Sequence, residues 1–285
     1  MQLCAEAGYN VVACDLHEDN LSKGLGAIEK SLKQAAGRKV KRGKMDEAAA
    51  DEEMTNALER ITGSTDLGYV TENADLVIEA IVEDMNVKLP FFKELGQSCK
   101  EDAILATNTS SFSVTEMAEA SGVPERVVGL HYFNPVQVMK LVEIVHTDHT
   151  APDVLESVRE FVAKTGKTPV SCGDTAGFIV NRLLVPYIAQ GVAMLARGDA
   201  TAEDIDTAMM LGAGHPMGPI TLSDYVGNDI NLAVMKGWVR KYPSDPAFMN
   251  PQGIELLESM VENNLLGRKT GQGFYRWEGN KCVGK

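Results

Sequence analysis

The sequence is short of several things that would each have fixed a class of protein. No apolar run approaches the roughly 20 residues that a membrane-spanning helix needs. The five cysteines, Cys4, Cys14, Cys99, Cys172 and Cys282, are odd in number and scattered. None falls in a Cys-x-x-Cys pair, so neither a disulfide framework nor a zinc site is predicted, and no metal is called for. Basic charge is scarce: 27 Lys and Arg against 40 Asp and Glu leave a net charge of −13. That balance excludes a sequence-blind nucleic-acid binder or an anionic-membrane binder, both of which need a positive field. The first residues, MQLCAE, show no basic region leading into an apolar stretch, so no secretory signal is read there. There is no internal repeat and no low-complexity tract. A reduced, intracellular, soluble protein without membrane insertion is the expectation.

What is present is ordinary globular material, 44% apolar and 24% charged over 285 residues, enough for two domains. Residues 2–7 read as the tail of a helix closed by Gly8, and residues 10–14 as a buried strand with Asp15 at its carboxyl end. Helices are predicted over residues 20–36 and 46–60. Short β-branched runs at 61–65, 75–81, 103–107, 127–131 and 141–145 alternate with helical stretches. That alternation predicts a doubly wound α/β domain: a parallel sheet covered by helices on both faces. After Asp174 only helices are expected, the first being a nearly all-apolar one over 178–196 that Pro186 should kink. The predicted division is therefore residues 1–173 and 174–285.

The most informative stretch is 129–143, GLHYFNPVQVMKLVE, which places His131 and Glu143 on two apolar runs joined by an Asn-Pro turn. A histidine held by a buried carboxylate is a base tuned to neutral pH. The bland alternative is a structural histidine at a strand end. The remaining histidines, His17, His146, His149 and His215, have no evident partner. Asp15 is placed to hydrogen-bond the adenosine ribose of a dinucleotide, and its charge would favour NAD over NADP; a turn or cap role is the alternative. The glycine-rich loop that usually precedes such a residue is not in the sequence, which reads as missing a first strand, loop and helix start. Removing that central strand should leave its two neighbours with unpaired edges. From Lys30 to Lys44 seven Lys and Arg occur with no acidic residue between them, a local positive field suited to phosphates; a solvated helix end is the alternative.

Five stretches together resemble the NAD-dependent 3-hydroxyacyl-CoA dehydrogenases of fatty-acid β-oxidation. They are TNTSS (107–111), the 129–143 segment, DTAGFIVNR (174–182), GAGHPMGPITLSDYVG (212–227) and GRKTGQGF (267–274). The resemblance covers the whole chain. It implies a Rossmann-type NAD-binding domain, and a helical domain that completes the substrate site and forms a homodimer. It implies NAD as cofactor, an acyl-CoA as substrate, and reversible oxidation of an (S)-3-hydroxyacyl-CoA to the 3-oxoacyl-CoA. By resemblance His131 is the general base, Glu143 orients it, and Ser110 and Asn181 are polar donors near the substrate oxygen and the nicotinamide. Ser31, Arg38 and Ser110 match CoA- or substrate-contacting positions, Arg38 replacing a lysine. Asp15, Glu83, Lys88, Ser110, Asn134 and Lys269 match positions lining the NAD site. Plainer roles exist for several: Ser110 as a cap for the helix from Val114, Asn181 as a buried helix–helix link, Lys88 and Lys269 as surface ion pairs. The resemblance also implies a mitochondrial matrix protein in a eukaryote or a cytoplasmic one in a bacterium. Two other readings stand beside it. One is a hydroxyisobutyrate-type β-hydroxyacid dehydrogenase, disfavoured because that type relies on a lysine. The other is a catalytically impaired remnant.

Overall fold

The computed structural model describes residues 1–284. They form two compact units, Met1–Phe178 and the residues from Ile179 onward.

The first unit runs α1 (Gln2–Glu6), β1 (Val11–Cys14), α2 (Glu18–Lys41), α3 (Glu47–Glu59), β2 (Ile61–Ser64), α4 (Leu67–Asn73) and β3 (Leu76–Glu79). It continues with α5 (Met85–Ser98), β4 (Ile104–Thr107), α6 (Val114–Ser121), β5 (Val127–Tyr132), β6 (Leu141–His146), α7 (Pro152–Lys164) and β7 (Thr168–Gly173). The expected alternation is there, and α2 runs five residues past its expected end through the basic stretch. Helix starts follow capping chemistry: the side chains of Asp46, Asp66, Asp84 and Ser113 each accept an amide hydrogen bond from the first turn of α3, α4, α5 and α6.

The strands make two sheets, β1–β2 and β3–β4–β5–β6–β7. Among the described residues β1 pairs with β2, and β3 lies at one edge of the larger sheet against β4. The larger sheet departs from expectation at one place: β5 and β6 pair antiparallel, whereas β3/β4, β4/β5 and β6/β7 are parallel. The connection between β5 and β6 is too short to cross over the sheet, which takes a dozen or more residues, so the chain has to turn back.

Alternation along the strands splits the apolar residues between two faces. Leu105, Val127 and Val145 pack with Phe92, Leu95, Val114 and Met117 of α5 and α6. Ala106, Val128, Leu130, Val142 and Ile144 pack with Val158 and Val162 of α7. Residues such as Phe92 and Leu130 are fully buried, each stabilising by roughly 1.5–3 kcal/mol. Gly129 is required by packing: a Cβ there would lie 2.8 Å from Cβ of Val145.

The second unit contains α8 (Val180–Ala196), α9 (Ala202–Gly212), α10 (Pro219–Val226), α11 (Asn228–Lys241), α12 (Pro251–Glu262), β8 (Arg276–Glu278) and β9 (Lys281–Gly284). The unit is helical, as expected, but it closes on an antiparallel hairpin, β8–β9, that the sequence pattern did not suggest. Pro186 lies inside α8, which continues to Ala196. Ile188, Val192 and Ala193 of that helix are buried, and Leu183 is 70% exposed. Two buried carboxylates hold the unit together. Asp206 accepts from the amides of Ile220 and Thr221 and from the hydroxyls of Thr221 and Tyr275. Asp224 accepts from the amides of Phe274 and Tyr275, the Asn228 side chain and the Trp277 indole. His215, expected to be without a partner, stacks on Tyr187 at 4.8 Å. Among the described residues no helix is long and apolar enough to cross a membrane.

Candidate active site

His131 and Glu143 are brought together by strand register. They are direct partners across the antiparallel β5–β6 pair, and opposed side chains on one face of such a pair stand about 4.5–5.5 Å apart at Cβ. Both lie on the face covered by α5 and α6, in step with Val127, Gly129 and Val145. His131 Nδ1 and Glu143 Oε2 are 2.7 Å apart, with the two side chains only 5% and 0% exposed. With Nδ1–H donating to the carboxylate, Nε2 keeps its lone pair and is free to take a proton. The ring is packed by Phe133 at 4.5 Å and Phe178 at 5.5 Å between centroids. Phe178 adopts a left-handed φ of 55°, a conformation that costs a non-glycine residue about 1–3 kcal/mol and clusters at functional sites.

Cys172 sits on β7 beside Val145. Burial, then the negative charges of Glu143 and Asp174, push its thiol up to about 11. It is therefore a neutral thiol and no rival nucleophile. The connection that follows β5 is tied down by Lys167, whose ammonium donates to the carbonyls of Val136 and Met139. Burial holds that lysine below the ordinary range. Asn134 is exposed at the start of this connection, beside a cis peptide bond to Pro135.

A second cluster lies at the carboxyl ends of β3 and β4, the edge at which doubly wound sheets bind ligands. Lys88 Nζ lies 2.7 Å from Glu79 Oε1 and 3.1 Å from Glu83 Oε2. Glu83 Oε1 accepts from the Thr109 hydroxyl at 2.5 Å, the Ser110 amide at 3.1 Å and the Ser111 hydroxyl at 3.3 Å. Partial burial works to raise the Glu83 carboxyl, but Thr109, Lys88 and the Ser110 amide outweigh it and hold it below the usual value of 4.5. Glu83, Lys88 and Ser110 are thus one connected group. Lys88 is not a surface lysine: it is 1% exposed. Nor does Ser110 cap α6, because Ser113 does so with its hydroxyl at 3.2 Å from the Glu116 amide. Asn108, to which the sequence reading gave no role, accepts the Tyr132 amide and links the β4 loop to the end of β5.

Asp15 follows the last residue of β1, its carboxylate 2.9 Å from the His17 amide and 3.3 Å from the Asn20 side chain. Ser31 and Arg38 are seven residues apart on α2, hence on one face of it. In the second unit Asn181 is the second residue of α8 and is half-buried, not the buried helix–helix link considered above. Lys269 forms an ion pair with Asp229.

An acidic residue closing a parallel strand, a carboxyl edge lined with polar side chains and a buried histidine–carboxylate pair together define an NAD-dependent dehydrogenase of the Rossmann class. Comparison with known proteins specifies it further. The sequence model of the 3-hydroxyacyl-CoA dehydrogenase NAD binding domain matches residues 1–175, and that of the family's C-terminal domain matches residues 177–277. The chain is 46% identical over 277 residues to the mitochondrial hydroxyacyl-coenzyme A dehydrogenase of Sus scrofa, covering 97% of this chain and 86% of that one. It is 40% identical over 275 residues to the 3-hydroxybutyryl-CoA dehydrogenase of Clostridioides difficile, covering 96% and 93%. The solved (S)-3-hydroxybutyryl-CoA dehydrogenase of Ralstonia eutropha matches with a TM-score of 0.87 at 36% identity, covering 97% and 93%. The chain belongs to the 3-hydroxyacyl-CoA dehydrogenase family.

Proposed function

We propose that the protein reversibly oxidises an (S)-3-hydroxyacyl-CoA to the 3-oxoacyl-CoA, with His131 as the general base and Glu143 as its orienting partner. The observation that carries this reading is the buried 2.7 Å contact between His131 Nδ1 and Glu143 Oε2. It leaves Nε2 as the proton acceptor for the substrate's 3-hydroxyl, and the carboxylate stabilises the imidazolium that forms. In the reverse direction the imidazolium returns that proton to the forming alkoxide. A positioned base of this kind contributes typically about 10²–10⁴ in rate. Ser110 and Asn181 serve as donors to the substrate oxygen and the nicotinamide edge. NAD, when bound, supplies the hydride acceptor.

The donor set fits that cofactor: Asp15 presents a carboxylate to the ribose hydroxyls, and Glu83, Lys88 and Ser110 line the carboxyl edge of the sheet. Asn134 and Lys269 complete this set in the proposal. Ser31 and Arg38, with the basic residues around them on α2, take the CoA moiety. In this reading the protein is a homodimer. The reaction serves fatty-acid β-oxidation, in a mitochondrial matrix or a bacterial cytoplasm.

The test is oxidation of NADH by the wild-type protein with acetoacetyl-CoA. The expected result is loss of absorbance from NADH, much slower loss from NADPH, and none with free acetoacetate in place of the thioester. No oxidation of NADH would overturn the reading and favour the impaired remnant.

A further inference from the structure

Glu79 has been given no part so far, yet it sits behind the whole Glu83–Lys88–Ser110 group. It is the last residue of β3 and its side chain is fully buried, as is that of Lys88. Its Oε1 accepts from the Lys88 ammonium at 2.7 Å and from the Ile81 amide at 2.7 Å, and its Oε2 from the Thr107 hydroxyl at 2.8 Å. Thr107 is its register partner on β4. Two routes leave this carboxylate and meet in the same loop. Through Thr107 Oγ1 it reaches the Thr109 amide. Through Lys88 and Glu83 it reaches the Thr109 and Ser111 hydroxyls and the Ser110 amide.

We infer that Glu79 is a positioning residue for the reaction: its buried charge holds Lys88, and through Lys88 and Glu83 it fixes the 109–111 backbone that presents Ser110. This rests on the function proposed above. The physical case turns on what buried ion pairs do. As devices for stability they are poor, because well-packed apolar residues of similar volume often do as well or better. Their use is in specifying one arrangement where several would otherwise compete. Here the ammonium lies between one inaccessible carboxylate and one that is 41% exposed. Glu79 is therefore the fixed anchor and Glu83 the movable outer end. Without the Glu79 charge, Lys88 has only Glu83 to balance it, and the geometry Glu83 imposes on the Ser110 amide is no longer the single solution.

The experiment compares wild type, Glu79→Gln, Glu83→Gln and the double variant. Amide hydrogen exchange over residues 108–113 is measured together with kcat and KM for acetoacetyl-CoA and NADH. Glu79→Gln should speed exchange in this segment and lower kcat by about 10–100-fold, the scale of a misplacement of about an ångström, with smaller changes in KM. Because the two carboxylates act in series, the double variant should lose no more kcat than the worse single one. Unchanged exchange with kcat within about twofold of wild type would overturn the inference. So would losses in kcat that multiply in the double variant, since independent sites add in free energy. If Glu79→Gln fails to fold, Thr107→Val removes the Oε2 bond and with it the bond from the Thr109 amide to Thr107 Oγ1, cutting the whole of that route. It should raise exchange in the same segment, and unchanged exchange there overturns the inference. If wild type does not turn over acetoacetyl-CoA, the proposed function fails, while the exchange measurement still decides whether Glu79 holds the loop.

Discussion

Replacing Glu143 by Gln isolates charge from geometry in the central pair. The side chains are nearly isosteric, and the Gln oxygen still accepts from Nδ1–H across the 2.7 Å contact. What is lost is a full negative charge beside a ring that, in the proposed reaction, becomes cationic. At about 4 Å and an effective dielectric of about 20, two unit charges interact by about 4 kcal/mol. If about half the positive charge has developed at the transition state, the loss is about 2 kcal/mol, or roughly 30-fold in kcat. The assay is kcat for oxidation of 3-hydroxybutyryl-CoA with NAD at saturating substrate. A value within about threefold of wild type, less than about 0.7 kcal/mol, would refute the orienting role.

Three further outcomes follow from other groups. Because the native carboxyl of Glu83 is held below its ordinary value of 4.5, its ionised form stabilises the fold. That contribution is fully present above the ordinary value and fades as pH falls through the lower native one. Thermal melts should therefore show Glu83→Gln less stable than wild type at neutral pH, with the gap closing in acid; a gap independent of pH contradicts the assignment. Asp224→Ala orphans the donors of Phe274, Tyr275, Asn228 and Trp277, and should cost the second unit about 3–5 kcal/mol. Both tryptophans, Trp238 and Trp277, lie in that unit, so a denaturant titration followed by tryptophan fluorescence reads it directly; a loss below about 1 kcal/mol would mean that the four bonds are not as drawn. Cys172, its thiol pushed up to about 11 by burial and then by the charges of Glu143 and Asp174, should resist iodoacetamide at neutral pH in the native state; rapid labelling would contradict that burial.

The pairing of His131 with Glu143 was legible in the sequence because its cause is local: two apolar runs and a short turn fix a register that puts residues 131 and 143 opposite one another. The antiparallel sense of that pair is implied by the same short turn, but a pattern of alternating strands and helices cannot carry it. Helix starts were legible only to within a few residues. Ser110 was the cap candidate read from the sequence, but α6 begins at Val114 and the residue directly before it, Ser113, supplies the capping hydroxyl. The depth of Lys88 was not legible, since a lysine in the first turns of an amphipathic helix ordinarily faces water. Its burial depends on Glu79, a lone acidic residue ending an apolar strand and without any motif of its own. The closing hairpin was hidden as well. RWE and KCVG are too short and too polar to read as strands, and that region is held by hydrogen bonds to Asp224, some 50 residues away in sequence.

The central claim is that His131 moves the substrate proton. The direct test is His131→Ala in acetoacetyl-CoA reduction, with NADH binding measured by fluorescence and folding by circular dichroism on the same preparation. The account predicts that kcat falls by about 10²–10⁴ while NADH affinity and the folded spectrum are retained. A folded His131→Ala protein that binds NADH and turns over within about threefold of wild type would contradict it.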